Sequence, residues 1–313
     1  MENNNRKVAI MMATYNGEKY LKQQINSILK QTYQNFVLLI RDDNSTDNTQ
    51  NIINEYELNY PDKIVVIKDH FKAGSAKDNF GLLVRYVQEH CLDDFEYFMF
   101  SDQDDFWRAN KVELSISRLL NCTQPTLVHT DLKVVDQNLK LINNSFMKMS
   151  SLNGNEHRLQ RLLVQNNVVG CTMAWNKALM QIIKPNFDQA IMHDWFIALI
   201  ACCYGKIVFI NEETVLYRQH DDNAVGVKSS HSFKYIKEGL QKLLFAKNTW
   251  NIVKNQSIFL LDAYKNIPYS KVSVIASFTN AFNHRKVTRI RILIKNGFIK
   301  QGVIRIIGEF ISS

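Results

Sequence analysis

The sequence predicts an α/β fold in which a Rossmann-like, mostly parallel sheet is flanked by helices. Short apolar runs alternate with segments of helical periodicity through residues 1–110, which is the pattern of strand–helix–strand units. Apolar residues make up 46% of the 313 positions and charged residues 22%, with only 11 glycines and 4 prolines. This composition is typical of a folded globular protein, and the length suits one large domain or two small ones.

The first two predicted strands each end in a polar loop that a helix follows. Residues 7–12 form a largely apolar strand, residues 13–17 a loop, and apolar residues then recur at helical spacing from Tyr20 to Leu29. A second strand, Phe36–Ile40, stops at the polar residues 41–47, where Ser45 or Asp47 can cap a helix over residues 48–60.

Two further strands complete this half of the chain. Ile64–Ile67 is the third strand, and a helix over residues 82–90 leads to the fourth strand, Tyr97–Phe100. Ligands of a parallel sheet bind beyond the carboxyl ends of its strands. We therefore expect the loops that carry Asn16, Asp43 and Asp104 to converge on one crevice.

After Pro125 the pattern becomes irregular, which fits a second half of the same domain. The apolar segments are Leu127–Thr130, Leu132–Val135, Val168–Ala174 and Ile207–Ile210, with helices near Asn176–Ile183 and Asp194–Ala201.

Three acids in four positions follow the fourth strand, in Asp102-Gln103-Asp104-Asp105. Such acids repel one another unless a positive group lies among them, and Mg²⁺ or Mn²⁺ with oxygen ligands would supply it. A solvated acidic turn or a helix cap is the alternative. Because the cluster directly follows an apolar strand, we favour the metal site.

Other polar residues have two interpretations each. Asp43 can begin a turn or accept a hydrogen bond from a base or ribose. Asp194 opens a predicted helix, where it is either an N-cap or a general base. Arg218 and His220 lie in a polar stretch after a predicted strand, and a lone histidine is usually structural unless it lies near a site.

No GxSxG, GxxxxGK[ST] or HExxH motif is present, which argues against serine hydrolysis and P-loop chemistry.

Cysteine usage and hydropathy predict a cytoplasmic chain. The five cysteines have neither CxxC nor Cys/His ligand spacing, and we interpret them as buried thiols in a reducing compartment. No apolar leader precedes the first strand, and the longest apolar run, Trp195–Tyr204, is about half the length of a membrane span.

Charge is unevenly distributed along the chain. Of the net +8, residues 228–313 contribute +12, from 15 Lys and Arg against 3 Asp and Glu, and residues 1–227 contribute −4. This asymmetry predicts a boundary near Gly226 and a helical, basic C-terminal region over residues 228–313. An apolar stripe from Ile290 to Phe310 predicts one amphipathic helix, which can lie on an anionic membrane or pack on this domain or on a second subunit.

Three motifs in order resemble the family 2 glycosyltransferases of GT-A fold: residues 13–17 (Ala-Thr-Tyr-Asn-Gly), residues 42–47 (Asp-Asp-Asn-Ser-Thr-Asp) and residues 102–104 (Asp-Gln-Asp). Residues 101–107, His193-Asp-Trp195 and Tyr217-Arg-Gln-His220 are similar to the bacterial rhamnosyltransferase-like branch that builds surface polysaccharides.

The resemblance implies a role for each candidate residue. Thr14, Tyr15 and Asp43, with Asn16 beside them, would hold the nucleotide. Asp102 and Asp104 would form the DxD pair, with Asp104 as the metal ligand. Asp194 would be the catalytic base. His220 would occupy the late metal- or diphosphate-binding position, with Arg218 nearby. His193 stands where the family often has glutamate, which leaves its role open.

The implied reaction is a metal-dependent, inverting transfer of a sugar. The donor would be a nucleoside-diphosphate sugar such as dTDP-rhamnose, and the acceptor a glycan or a lipid-linked saccharide. Residues 1–110 would be the donor half and residues 111–227 the acceptor half of a GT-A domain. Such acceptors would suit a cytoplasmic protein that is peripheral on the inner face of the plasma membrane. Alternatively, the C-terminal helix would pack on a second subunit in a homo-oligomer. A nucleotidyltransferase or a metal-dependent phosphatase would also explain the clustered aspartates. A nucleic-acid-binding protein would explain the basic tail, but the tail contains no recognisable nucleic-acid module.

Overall fold

The computed structural model describes residues 6–69, 71–220 and 250–302. The strands are β1 (Val8–Thr14), β2 (Phe36–Asp42), β3 (Ile64–Val66), β4 (Tyr97–Ser101), β5 (Phe106–Trp107), β6 (Thr126–Val135), β7 (Leu141–Asn143), β8 (Ala174–Asn176) and β9 (Lys206–Arg218). The helices are α1 (Leu21–Leu29), α2 (Thr49–Asn59), α3 (Ala76–His90), α4 (Lys111–Ser117), α5 (Phe146–Met149), α6 (Leu159–Leu162), α7 (Lys177–Met180), α8 (His193–Tyr204), α9 (helical residues 250–263), α10 (Tyr269–Ala281) and α11 (Lys286–Lys295).

The described strands form one nine-stranded sheet in the order β3-β2-β1-β4-β8-β6-β9-β5, with β7 paired to β6. Strands β1 to β4 run parallel, and β6 and β9 are also parallel to each other. Short β8 is antiparallel to both β4 and β6, and so it joins the two parallel sets. The predicted α/β class with a mostly parallel sheet is confirmed.

The sheet is buried on both faces, which explains why its first strands are continuous apolar runs. In β1, Ala9 and Met11 belong to the hydrophobic cluster that includes α3 and α8, whereas Val8, Ile10 and Met12 belong to the cluster with α1 and α2. All five side chains are fully buried. This is the burial expected of a parallel sheet covered by helices on both sides.

Two predicted strands are longer than the sequence pattern indicated. The segments Leu127–Thr130 and Leu132–Val135 are one strand, β6, whose register with β9 shifts at Asp131. Strand β9 continues to Arg218, so Tyr217 and Arg218 lie in the strand rather than in a polar stretch after it. By contrast, the apolar segment Val168–Ala174 forms mainly a 3₁₀ turn and only the start of β8.

The prediction of one helix from Ile290 to Phe310 is wrong. Helix α11 ends at Lys295, and Gly297 follows with a φ of +77°, a left-handed conformation that ends helices. Residues 303–313 and the predicted domain boundary near residue 227 lie outside the described residues. Within the described part of the chain, no helix is both long and apolar enough to cross a membrane.

The C-terminal helices share a hydrophobic core with the sheet. Trp250, Phe278, Leu293 and Phe298 are buried in the same cluster as Phe196 of α8. The backbone after α11 also contacts the rest of the chain, because Arg161 donates a hydrogen bond to the Ile299 carbonyl. Residues 250–302 therefore contribute to the packing behind α8.

Candidate active site

The loops after β1 and β2 meet at the carboxyl edge of the sheet. The Asp43 amide donates to the Thr14 carbonyl at 2.9 Å, and the Asn16 amide donates to the Ser45 hydroxyl at 2.8 Å. The Asn16 side-chain oxygen accepts from the Thr46 amide at 2.8 Å, while Asn16 itself has a φ of +48°. Asparagine tolerates this left-handed conformation better than most residues. Ser45 therefore joins the two loops and does not cap α2.

The loop after β4 joins them through Gln103. Its side-chain oxygen accepts from the Tyr15 amide, and its NH₂ group donates to the Tyr15 carbonyl, both at 2.9 Å. A Cβ on Gly17 would lie 2.3 Å from the Gln103 oxygen, so a larger residue at this position would displace the Gln103 side chain. The Tyr15 side chain remains 49% exposed and is accessible to a ligand. The three loops thus converge as the sequence indicated.

The Asp43 carboxylate is buried and oriented by backbone amides. One oxygen accepts from the Ala73 amide and the other from the Gly74 amide, the latter at 2.8 Å. Thr14 is also buried, and its hydroxyl donates to Asp42 at 2.9 Å. The oxygen bound by the Ala73 amide also lies 3.5 Å from the Arg41 guanidinium, whereas the oxygen bound by Gly74 has a second lone pair with which Asp43 can accept from a ligand.

The three acids after β4 have different environments. Burial, with the neighbouring charges of Asp104 and Asp194, raises the pKa of Asp102 to about 7. Asp105 is fully buried, and its pKa is raised by burial and by both neighbouring acids. Asp104 is the acid that contacts His220, at 2.8 Å between carboxylate oxygen and Nε2.

The end of β9 brings Arg218 and His220 to these acids. The Arg218 amide donates to Asp105 at 3.2 Å, and its Nε donates to the Asp104 carbonyl at 2.7 Å. The guanidinium lies 4.3 Å from the Tyr20 ring centroid, and the ring of His220 lies on the same tyrosine at 5.0 Å. Arg218 thus supports the backbone of the acidic loop, while His220 faces its side chains.

Asp194 reaches the same edge from the first turn of α8. Its carboxylate accepts from the Gly170 amide at 3.0 Å and from the Trp195 amide at 2.5 Å. Burial raises the pKa of Asp194 to about 6, against the backbone hydrogen bonds that lower it. Its charge contributes to the raised pKa of Asp102, so the two carboxylates are close enough to interact electrostatically. The N-cap position of α8 belongs to Met192, not to Asp194.

His193 lies in the core behind this site. Its ring packs against Phe80 at 4.2 Å and edge-on against Phe100 at 5.0 Å. Burial lowers the pKa of His193 to about 3, so the imidazole is neutral at pH 7. Neither ring nitrogen has a hydrogen-bond partner among the described residues.

Two sets of side chains could hold a divalent cation. Possible ligand atoms of Asp102, Asp105 and Cys171 lie within 4.8 Å of one another. However, Asp105 and Cys171 are fully buried and interact electrostatically with the buried ammonium of Lys111, which already offsets negative charge there. Asp104 and His220 lie closer to solvent, with 16% and 9% side-chain exposure. The carboxylate oxygens of Asp104 and neighbouring Asp102 fit Mg²⁺ or Mn²⁺, whereas the His220 imidazole is a transition-metal ligand and so favours Mn²⁺ over Mg²⁺.

Sequence reasoning missed three residues that shape the site: Arg41, Lys111 and Asn79. Arg41 interrupts the apolar strand β2, and a charge inside a buried strand is a readable signal of a specific partner. Lys111 and Asn79 lie in ordinary amphipathic helices, and nothing in their spacing distinguishes them.

Residues 9–181, more than half of the chain, match the family described as "Glycosyl transferase family 2". The chain is 32% identical over 247 residues to the dTDP-rhamnosyl transferase RfbG of Shigella flexneri, covering 76% of this chain and 80% of that protein. It is 29% identical over 174 residues to the Escherichia coli UDP-Glc:alpha-D-GlcNAc-diphosphoundecaprenol beta-1,3-glucosyltransferase WfgD, covering 55% and 61%. A crystal structure of Staphylococcus aureus TarS 1–349 in complex with UDP-GlcNAc superposes with a TM-score of 0.60 at 15% identity, covering 90% of this chain and 74% of that one.

Proposed function

Because the chain belongs to glycosyl transferase family 2, we propose that it is a metal-dependent, inverting glycosyltransferase that uses a nucleoside-diphosphate sugar. The acceptor in this proposal is a glycan or lipid-linked saccharide of bacterial surface polysaccharide synthesis. One observation carries it: Asp194, held by the Gly170 amide, lies close enough to the β4 loop for its charge to raise the pKa of Asp102. A base near the group that would hold the donor diphosphate is what the proposed transfer requires.

The donor nucleotide would bind across the loops after β1 and β2. Tyr15 offers an exposed ring, and Asp43 offers a carboxylate already oriented by two amides. Thr14 and Asn16 support these two residues through the hydrogen bonds between the loops. An oriented acceptor loses little entropy when it binds a base or ribose donor, which favours affinity and specificity.

Asp104 and His220 would hold Mg²⁺ or Mn²⁺, with Asp102 beside them. When bound, such an ion stabilises the negative charge that develops on the diphosphate leaving group. Arg218 holds the Asp104 carbonyl, so the acidic loop keeps its position as charge moves nearby. A fixed charged environment of this kind needs no reorganisation during the reaction.

Asp194 would remove the proton of the acceptor hydroxyl as that hydroxyl attacks the anomeric carbon. The bond between the anomeric carbon and the diphosphate oxygen breaks, the new glycosidic bond forms on the opposite face, and the proton passes to the carboxylate. One displacement with one base inverts the anomeric configuration. The raised pKa of Asp194, about 6, makes it a better base than an ordinary aspartate while it is still ionised at pH 7.

The relatives suggest donors to test first. RfbG is named a dTDP-rhamnosyl transferase and WfgD a UDP-Glc-dependent glucosyltransferase acting on a diphosphoundecaprenol substrate. RfbG shares more identity over a longer stretch, so we propose dTDP-rhamnose as the donor and a lipid-linked saccharide as the acceptor.

We expect a nucleoside-diphosphate sugar to raise the melting temperature of the protein only when Mn²⁺ or Mg²⁺ is present. A ligand at 100 times its Kd stabilises the native state by about 2.7 kcal/mol. Thermal denaturation with dTDP-rhamnose, UDP-glucose and the free nucleotides, each with and without Mn²⁺, measures this shift. Release of free phosphate or formation of a sugar nucleotide would instead indicate a phosphatase or a nucleotidyltransferase.

We also propose that the outer face of α11 contacts an anionic membrane. Lys286, Arg291 and Lys295 are exposed on this helix, together with Val287 and Ile294, which are 64% and 47% exposed. Leu293 packs inward, so the apolar stripe is divided between the core and the outer face. Basic residues with a few apolar side chains among them are the composition of an interfacial helix.

Replacing Lys286, Arg291 and Lys295 with glutamine should weaken binding to anionic vesicles about 100-fold, because each basic residue contributes about 1 kcal/mol near such a surface. Sedimentation with phosphatidylglycerol vesicles at low and high salt measures it. The control replaces the exposed lysines 22, 30 and 68 with glutamine and should bind as the wild type does. Equal binding by both triple variants would remove the membrane proposal.

A further inference from the structure

Arg41 is a fully buried charge near the carboxyl end of β2. Each of the five N–H donors of its guanidinium has an acceptor. Two of them bind Asp69 in a bidentate pair, at 2.8 Å from Nε and 2.7 Å from Nη2. The others reach the Phe71 carbonyl, the Asn79 side chain and, at 3.5 Å, Asp43.

Core stability alone does not require this ion pair. The rest of β2 is apolar from Phe36 to Ile40, and replacing a buried ion pair by apolar residues is often neutral or stabilising in proteins. A bidentate arginine–carboxylate pair adds geometric definition instead. The question is therefore which atoms the pair holds in place.

The pair holds the segment after β3, which has no helix or strand of its own between residues 71 and 74. The Phe71 amide donates to Asp69 at 3.1 Å, and its carbonyl accepts from Arg41, so the Phe71 backbone is fixed on both sides. Two residues later, the Ala73 and Gly74 amides donate to the Asp43 carboxylate. Arg41 and Asp43 therefore hold the same short segment at its two ends.

We propose that the Arg41–Asp69 pair is the positioning element for nucleoside recognition, because it fixes the segment whose amides orient Asp43. This inference rests on the proposed function, in which Asp43 binds the base or ribose of the donor. The pair contacts Asp43 and the 71–74 segment, whereas the diphosphate and metal would be held by the loop after β4. Loosening it should therefore affect the nucleoside and not the metal–diphosphate part of the donor.

Asp69→Asn is the informative variant, because the Asp69 side chain is 25% exposed and asparagine has nearly the same volume. We expect the affinity for dTDP and UDP with Mn²⁺ to fall about tenfold or more, the loss typical of a charge-assisted hydrogen bond. The KM for the donor sugar should rise by a similar factor with kcat within about twofold, since the base and metal sites are unchanged. Binding of Mn²⁺ with inorganic pyrophosphate should stay the same.

The matched control is Glu57→Gln, which removes the exposed ion pair between Glu57 and Lys68, one residue from Asp69. It should bind both probes as the wild type does. Equal dTDP affinity in Asp69→Asn and wild type would overturn the inference. A loss of pyrophosphate affinity as large as the loss of dTDP affinity would also overturn it, because it would indicate that the whole site is disordered. A wild type that binds neither nucleotide would instead count against the proposed function.

A measurement on the wild type tests whether the 71–74 segment responds to the nucleoside through Asp43. Hydrogen exchange at the Ala73 and Gly74 amides should slow when dTDP and Mn²⁺ are added, because the ligand orders Asp43 and the amides bound to it. Pyrophosphate and Mn²⁺ should leave this exchange unchanged. Exchange that responds to pyrophosphate as strongly as to dTDP would contradict a nucleoside-specific role.

Discussion

Replacing Asp194 with asparagine should lower kcat for sugar transfer by about 10²–10⁴-fold, the usual contribution of a positioned general base. The amide keeps the shape of the carboxylate, but its single oxygen can accept from only one of the Gly170 and Trp195 amides, so we expect the fold to be retained at a cost of about 1–3 kcal/mol in stability. Donor affinity should change little, because the proposed role of Asp194 is to remove the acceptor proton and not to bind the nucleotide. Initial rates with a labelled donor sugar, together with calorimetric titration of dTDP, separate the two quantities.

The pH profile of the wild type provides the control for this result. Because the base must be ionised and its pKa is raised to about 6, kcat/KM should fall as pH drops below about 6 and level off above it. The residual rate of Asp194→Asn should lack this acid limb. Asp188→Asn, at an exposed acid before α8, should keep the wild-type profile. Near-normal turnover in Asp194→Asn would show that Asp194 is not the base and that it only orders the start of α8.

Replacing Asp104 with asparagine should abolish metal-dependent donor binding. An amide oxygen lacks the negative charge that a hard divalent cation requires, and the contact with His220 can persist without it. Calorimetric titration of dTDP with Mn²⁺ should show affinity equal to that measured without metal. Unchanged affinity in the presence of Mn²⁺ would remove Asp104 from the metal site.

Asp105→Asn separates this effect from a general loss of acidic charge. Asp105 is fully buried and accepts a hydrogen bond from the Arg218 amide, so its replacement should disturb buried packing and hydrogen bonding and destabilise the fold by about 1–3 kcal/mol. Metal-dependent dTDP binding below the melting temperature should persist. Guanidinium denaturation and calorimetry together distinguish the two aspartates, since one affects mainly ligand binding and the other mainly stability.

Much of the donor half could be predicted because its signals are local. Strands β1, β2 and β4 are apolar runs that end in polar loops, and this pattern placed Asn16, Asp43 and Asp104 at one edge of the sheet. Their hydrogen bonds could not be predicted, since the contact between Gln103 and Tyr15 joins residues 88 positions apart. Likewise, nothing local to Lys111 indicates that its buried ammonium interacts electrostatically with Asp105 of the acidic loop.

The C-terminal half was harder because its strands are not apolar runs. Strand β9 continues through Asn211, Glu212 and Glu213, and it forms because β6 and β5 supply partners on both sides. The end of α11 was readable: Asn296-Gly297 is a helix-ending pair, but the apolar periodicity across it suggested continuation. The division of that stripe between core and surface depends on Phe278 and Trp250, which are distant in sequence.

The two hydrogen bonds between the Gln103 side chain and the Tyr15 backbone would couple metal binding to nucleotide binding. Gln103 lies between Asp102 and Asp104, and its amide makes two hydrogen bonds to the residue proposed to meet the nucleotide. A cation that orders the acidic loop would thereby also order Tyr15 before the nucleotide arrives. Linkage then requires reciprocity: whatever factor the metal adds to nucleotide affinity, the nucleotide adds to metal affinity. The affinity of the protein for the metal and nucleotide together would therefore exceed its affinity for either one alone.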